Sequence, residues 1–376
     1  MNESPIYLDC NATTPVDPRV LELMFHVYRN EPGNAGSTTH SFGQRAKQLV
    51  QCARDHVGRV VDARRHEIIF TSGATEANNL ALLGLARHGE QTGRRHIVST
   101  QIEHKAVLEP LQELASRGFE VTLVPPTAGG WVEPEMVAAA VRDDTLVVSV
   151  MQVNNETGIR QPIAEIAELL GGRDMYFHVD AAQGFGKELS PLRHPRIDLI
   201  SITAHKIFGP QGVGALITRR RGRELPPLSP LVFGGGQELG LRPGTLSVAL
   251  IAGFGEAARL AADEAGQRAE RCTEFRRELL AALDPLQPVI HGESGRCLPH
   301  VINLSFPGLD ANQVMEAMSP FVAVSDGAAC TSICSTASHV LTAMRLPADQ
   351  IAGAIRLSWC HATPSPDWQA VVRAGC

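Results

Sequence analysis

From about residue 66 to residue 219, short apolar runs alternate with helical patterns: HEIIFTS then ATEANNLALLGLARHG, RHIVST then HKAVLEPLQELASRG, VTLVPP, TLVVSVMQV then IAEIAELLGG, and finally MYFHVDA, DLISITA and GALITR. The runs are apolar at consecutive positions, which predicts strands buried on both faces. The helices between them predict a mainly parallel sheet covered on both sides, an α/β fold. Ligands in such folds gather at the C-terminal ends of the strands, so polar residues there are the ones to weigh.

After about residue 246 the pattern changes. VALIAGFGEAARLAADEAGQRAERCTEFRRELLAAL predicts one long helix, followed by short strands at VINLSF and IRLSW around a helix near 310–318. A chain of 376 residues exceeds one ordinary core. The expected division is a large domain over 15–255 and a smaller α+β domain built from 1–14 and 256–376.

Hydrophobic residues at 44% and charged residues at 20% exclude disorder as the default. A net charge of −6 argues against a dedicated nucleic-acid binder. The one basic run, Arg219-Arg220-Arg221-Gly222-Arg223, reads as a solvated turn. No stretch approaches 18 consecutive apolar residues and MNESPIYLDC lacks a basic segment followed by an apolar one, so the expectation is a cytoplasmic protein without a membrane span. Eight cysteines occur without a CxxC pair or zinc-type His/Cys spacing, which predicts no metal site and no disulfide framework.

Lysine is scarce: only Lys47, Lys105, Lys187 and Lys206 stand against thirty arginines. Lys47 falls on the exposed face of a helical pattern, Lys105 at a helix start and Lys187 in a glycine-flanked loop. Lys206 alone follows a buried strand, SITAH, at the end that faces a cleft, where imine chemistry would occur. Asp180 ends another such strand and would either cap the next segment or meet a protonated heterocyclic nitrogen. Between strand and helix, Phe70-Thr71-Ser72-Gly73-Ala74-Thr75-Glu76 offers backbone N–H groups and the Thr75 hydroxyl to a phosphate, or simply a capped helix start. A phosphate cradle, an Asp and a Lys on one sheet are what pyridoxal phosphate requires.

Nearly the whole chain, from Tyr7-Leu8-Asp9 to Ile355-Arg356-Leu357-Ser358, resembles the cysteine desulfurases, fold-type-I pyridoxal-phosphate enzymes with an aminotransferase-like fold. The segments that carry the resemblance are NATTPVDPRV, GNAGSTTHSFG, FTSGATEANNLAL, IEHKAV, VNNETGIRQPI, HVDAAQ, SITAHKIFGPQGVGAL, GGGQELGLRPGT and SDGAACTS. The resemblance implies conversion of L-cysteine to L-alanine, with the sulfur left as a persulfide on Cys330. It implies Lys206 as the lysine that condenses with the cofactor, His104 as the ring stacked on the pyridine and Asp180 as the partner of its nitrogen. Asn155 and Gln183 would contact the ring oxygen or the substrate, and Ala74, Thr75, Thr203 and His205 the phosphate. Thr245 would reach the phosphate of a neighbouring subunit, which implies a homodimer. Arg356 and Asn34 would bind the substrate carboxylate, a task that suits a guanidinium fork. Without the resemblance, His104 reads as a helix-start residue and Arg356 as a surface charge.

The segment around Cys330 departs from the family. Asp326 and Ala328 stand where serine is usual, and Cys334-Ser335-Thr336-Ala337 replaces a common Leu-Glu-Pro. A carboxylate close to Cys330 would raise its thiol pKa. Cys334 is a second thiol that could accept the persulfide, with an incidental residue as the plainer alternative. Residues 81–111 and 233–246 resemble desulfurases that serve DNA phosphorothioation, which implies sulfur transfer to an iron–sulfur partner protein of a DNA-modification system without direct nucleic-acid binding. A general iron–sulfur scaffold, a tRNA-thiolation carrier, a selenocysteine lyase or transaminase reaction, and a catalytically weak docking protein remain the alternatives.

Overall fold

A computed structural model describes residues 5–327 and 337–374. The chain opens with β1 (Ile6–Tyr7), α1 (Pro18–Asn30) and α2 (Ser41–Val61). The Asp17 side chain accepts from the Arg19 N–H at the start of α1, and Pro18 supplies a preset helical φ there. The alternating region follows as β2 (Ile68–Thr71), α3 (Ala74–Leu83), α4 (Ala86–Thr92), β3 (His96–Thr100), α5 (Lys105–Ser116), β4 (Glu120–Val124), α6 (Pro134–Ala140), β5 (Thr145–Met151), α7 (Ile163–Leu170), β6 (Tyr176–Asp180), β7 (Leu199–Thr203) and β8 (Gly214–Thr218).

These strands make one seven-stranded sheet in the order β2-β8-β7-β6-β5-β3-β4. All its neighbours are parallel except at β8, which runs antiparallel to β2 and β7. The consecutive apolar runs are explained by two cores. Ile68, Phe70, Ile200, Ile202 and Ile217 face the helices α1 and α2. Their neighbours Ile69, Leu199 and Leu216 face α3 and α5 on the other side. Strand β4 lies at the edge, and Leu123 on it is exposed.

ATEANNLALLGLARHG does not form one helix. The carbonyl of Gly84 accepts from the Ser229 N–H at 2.8 Å, and a Cβ at Gly84 would stand 3.1 Å from the Ser229 carbonyl oxygen. The close approach of that strand of chain ends α3, and α4 begins two residues on.

The long helix is α8 (Val248–Leu283), 36 residues and about 54 Å from end to end. Its first half packs on α1 and α2, where Gly255 lets the backbone of Ala53 come close. Its second half, through Cys272, Phe275 and Leu279, joins a third core. That core covers a second sheet, β9 (Val289–Ile290), β10 (Val301–Ser305) and β12 (Ile355–Ser358), in the antiparallel order β12-β10-β9. Helix α9 (Ala311–Met318) and strand β11 (Val322–Ala323) lie between β10 and β12 in sequence, and β11 pairs in parallel with β1. A short helix, α10 (His339–Ala343), follows the undescribed stretch.

The basic run is not a solvated turn throughout. Arg219 is buried and donates to the carbonyls of Val61, Leu192 and His194. Arg221 forms an ion pair with the buried Asp198 at 2.7 Å. Its arginines close backbone ends that the strands leave open, a use that composition does not reveal. Among the described residues no helix is long and apolar enough to cross a membrane, and no His/Cys/Asp/Glu group could hold a metal.

Candidate active site

A cavity of about 580 Å³ opens at the C-terminal ends of β6 and β7 and at the turn from β2 into α3. Ala74, Thr75, His104, Asn155, Asp180, Gln183, Thr203, His205 and Lys206 all line it. Separated by up to 132 positions in sequence, they meet because parallel strands deliver their C-terminal ends to one rim.

Asp180 is 5% exposed. Its Oδ1 accepts from the Ala182 N–H at 2.9 Å and its Oδ2 from the Asn78 side-chain amide at 2.7 Å. The capping and functional roles open to Asp180 in sequence are therefore compatible: one oxygen caps, and the carboxylate still borders the cavity. His104 caps α5, its Nδ1 accepting from the Ala106 N–H at 3.1 Å, which leaves the proton on Nε2. Burial pushes its imidazolium pKa down, against the pull of Asp180. His205 is pushed down to about 4 by burial and by the nearby amines of Lys206 and Lys187, so it is neutral at pH 7.

Three predicted residues stand outside the cavity lining. Asn34 is exposed and its Oδ1 accepts from the Gly36 N–H at 2.8 Å. Thr245 is exposed on the loop before α8. Arg356 is not a surface charge but 4% exposed. Its guanidinium pairs with Asp9 at 2.6 Å, donates to the Ser325 hydroxyl at 3.0 Å and reaches the Asn155 carbonyl at 3.0 Å, one residue behind the cavity wall. Cys330, Ala328 and Cys334 lie outside the described residues.

Several contributors escape sequence inspection. Asn78 lines the cavity and holds Asp180, yet on α3 it looks like any helix amide; its position four residues after Ala74 was the only signal. Glu103 is fully buried beside His104, its Oε1 accepting from the Met151 N–H and the Thr100 hydroxyl. Its carboxyl is pushed up to about 8 by burial. His178 bridges Ser149 on β5 and Ser201 on β7 at 2.8 and 2.9 Å.

The cavity fits pyridoxal phosphate. The N-terminus of α3 has no side-chain cap, Gly73, Ala74 and Thr75 line the cavity, and a Cβ at Gly73 would meet only the Thr203 hydroxyl, at 3.9 Å, among the described residues. Gln183 Oε1 and Asn78 Oδ1 are buried without a partner among the described residues, which marks them as donor-seeking groups in a pocket with an amine and a carboxylate on its walls.

Comparison with known proteins agrees. The model of the family described as aminotransferase class-V matches residues 6–371. A protein named cysteine desulfurase IscS from Methylococcus capsulatus is 43% identical over 364 residues, 96% of this chain and 89% of its own. A solved structure titled NifS-like protein superposes with a TM-score of 0.89 at 36% identity, covering 98% of this chain and 97% of that one. The structure of DndA from Streptomyces lividans gives a TM-score of 0.83 at 48% identity, covering 93% and 98%. A structure titled SspA in complex with cysteine gives 0.83 at 34% identity, covering 94% and 98%. A family match over nearly the whole chain, on a fold-type-I α/β sheet whose rim fits the cofactor, makes this chain a pyridoxal-phosphate-dependent cysteine desulfurase of the class-V aminotransferase family.

Proposed function

We propose that this chain moves sulfur from L-cysteine to Cys330 as a persulfide and passes it to an acceptor protein. The observation that carries the residue roles is the convergence of Lys206, Asp180, His104 and an uncapped α3 N-terminus on one cavity. Bound pyridoxal phosphate supplies an aldehyde for amine condensation and a protonated ring that withdraws electrons from the substrate Cα. With that group bound, Lys206 would hold it through its amine and would carry protons to and from the substrate Cα. Asp180, oriented by Asn78 and the Ala182 N–H, would hold the proton of the ring nitrogen. His104, its imidazolium pKa lowered by burial, would pack against the ring, and Asn155 and Gln183 would hold its phenolic oxygen. The Ala74 and Thr75 N–H groups, with Thr75, Thr203 and His205, would hold the phosphate.

Arg356, whose Nε is unpartnered among the described residues, receives the substrate carboxylate with Asn34. The Cys330 thiolate attacks the substrate sulfur; the S–S bond forms, the Cβ–S bond breaks, and protonation leaves L-alanine. Residues 15–255 would form the cofactor-binding domain, and 1–14 with 256–376 the domain that carries Cys330. A second copy of the chain would cover the exposed Val232, Phe233 and Leu239 and bring Thr245 to its partner's phosphate; light scattering should then report a dimer.

For the recipient we favour a general iron–sulfur scaffold, on the strength of relatives named IscS matched over nearly the whole chain. DNA phosphorothioation through an iron–sulfur partner is a second reading, favoured by residues 81–111 and 233–246 and by the 48% identity to DndA. In Lys206→Ala the visible absorbance of bound cofactor should vanish, whereas Cys330→Ser should keep it and release sulfide from L-cysteine at least a hundredfold more slowly. Undiminished sulfide release from Cys330→Ser would overturn the choice of thiol. Deleting the gene and assaying iron–sulfur enzymes beside DNA phosphorothioate content separates the two recipients.

A further inference from the structure

Ile207 and Phe208, directly after Lys206, wall a second cavity of about 60 Å³ that the reaction proposed above does not use. Three thiols from separate parts of the chain meet there: Cys10 after β1, Cys272 on α8 and Cys360 after β12. The Lys187 amine joins them, 3.2 Å from His300 Nε2. The segments that carry Cys10 and Cys360 run side by side, with Asp9 bridged in parallel to Ser358 and the Cys10 N–H donating to the Ser358 carbonyl at 3.0 Å. Both thiols line this cavity, and Cys360 Sγ accepts from the Thr363 hydroxyl at 3.4 Å.

We propose that Cys10 and Cys360 form a dithiol oxidised by small hydroperoxides, closing to a disulfide that ties the N-terminal wall of the cofactor cavity to strand β12. The Cys10 S–H, donated to Cys360, pushes the Cys360 thiol down to about 6, while that same bond and burial push Cys10 up. The two shifts make Cys360 the more acidic thiol of the pair and so its nucleophile. The cavity is several times the space that one water occupies, enough for hydrogen peroxide and too small for a bulky oxidant.

The Cys360 thiolate attacks the O–O bond; one oxygen stays on sulfur as a sulfenic acid, and the other leaves as alkoxide or hydroxide and takes a proton. Cys10 sulfur then attacks Cys360 sulfur. The S–S bond forms, the S–O bond breaks, and hydroxide departs with the Cys10 proton as water. Two thiols lose two electrons, and the peroxide gains them.

The bond would fix a functional wall. Asn11 next to Cys10 donates its N–H to the Ser358 hydroxyl and accepts from the Gln183 amide, Ala12 and Thr13 line the cofactor cavity, and Arg356 lies on β12.

The test is to treat the full-length holoenzyme with hydrogen peroxide at pH 7, alkylate it in denaturant and map the peptides without reduction. The expected product is a cross-link between the peptides of Cys10 and Cys360 in most chains, two hydrogens lighter than the pair and reversed by dithiothreitol, with Cys272 alkylated. In Cys10→Ser the Cys360 sulfenic acid should persist and be trapped by dimedone. Full alkylation of both cysteines in the wild type while the exposed Cys52 is oxidised would overturn the proposal, as would a cross-link from either one to Cys272.

Discussion

Glu103 has no exposed surface, and one of its carboxyl oxygens, Oε2, has no partner among the described residues. Protonated at Oε2, the carboxyl is neutral and leaves one O–H donor in the interior; ionised, it would leave a charge there. With its pKa pushed up to about 8, the folded chain holds a proton that the unfolded chain has released above about pH 5. Stability should therefore fall as pH rises from about 5 to about 8. Glu103→Gln removes that dependence, so the gap between the urea midpoints of variant and wild type should widen in favour of the variant across the window. His178, pushed down to about 4 by burial, acts in the opposite sense: stability should fall as pH drops from about 6.5 to about 4. Neither group was legible in the sequence. Their burial is set by strands and helices that arrive from elsewhere, and a Glu before a His or a His inside an apolar run reads the same whether it faces water or a core. Lys206 and Asp180 were legible because a polar residue that closes a doubly buried strand has few places to point other than the rim.

Strand β8 meets the phosphate-type turn at its first residue. Thr71 on β2 pairs with Gly214, and a Cβ at Gly214 would stand 2.7 Å from the Gly73 backbone and 2.5 Å from the Ile202 carbonyl oxygen. Gly214→Ala should cost about 1–3 kcal/mol through overpacking and should also weaken cofactor binding, because the displaced backbone is the cradle itself. A titration of apoprotein with pyridoxal phosphate, read beside a melting curve, checks both effects; unchanged affinity in a destabilised variant would separate the strand from the cradle. At this scale the alternation of apolar runs and helices was readable, since doubly covered strands stay mostly apolar even where Ser149, His178 and Ser201 interrupt them. The break between α3 and α4 was not, because it is imposed by Ser229, 145 positions away from Gly84 in sequence.

Across the whole molecule, the Arg356–Asp9 pair joins the N-terminal segment to the second sheet behind the cofactor cavity. Asp9→Asn removes the charge facing a guanidinium that is 5% exposed in its side chain, and should cost about 3 kcal/mol of stability. Arg356 would then be free to shift toward the cavity, so the KM for L-cysteine should change more than kcat. Equal kcat and KM in a destabilised Asp9→Asn would confine the pair to a structural role. Resemblance drew attention to Arg356 as a carboxylate binder, but nothing in the sequence tied it to Asp9, because that contact spans almost the full chain.

The same span has a consequence for how the enzyme is made. β1 pairs with β11, Asp9 is bridged to Ser358, and the Asn11 N–H donates to the Ser358 hydroxyl, while Ala12 and Thr13 wall the cofactor cavity. Residues 6–13 are made long before β12, so the seven-stranded sheet can assemble during synthesis, but the cavity gains its final wall only after β12 has emerged.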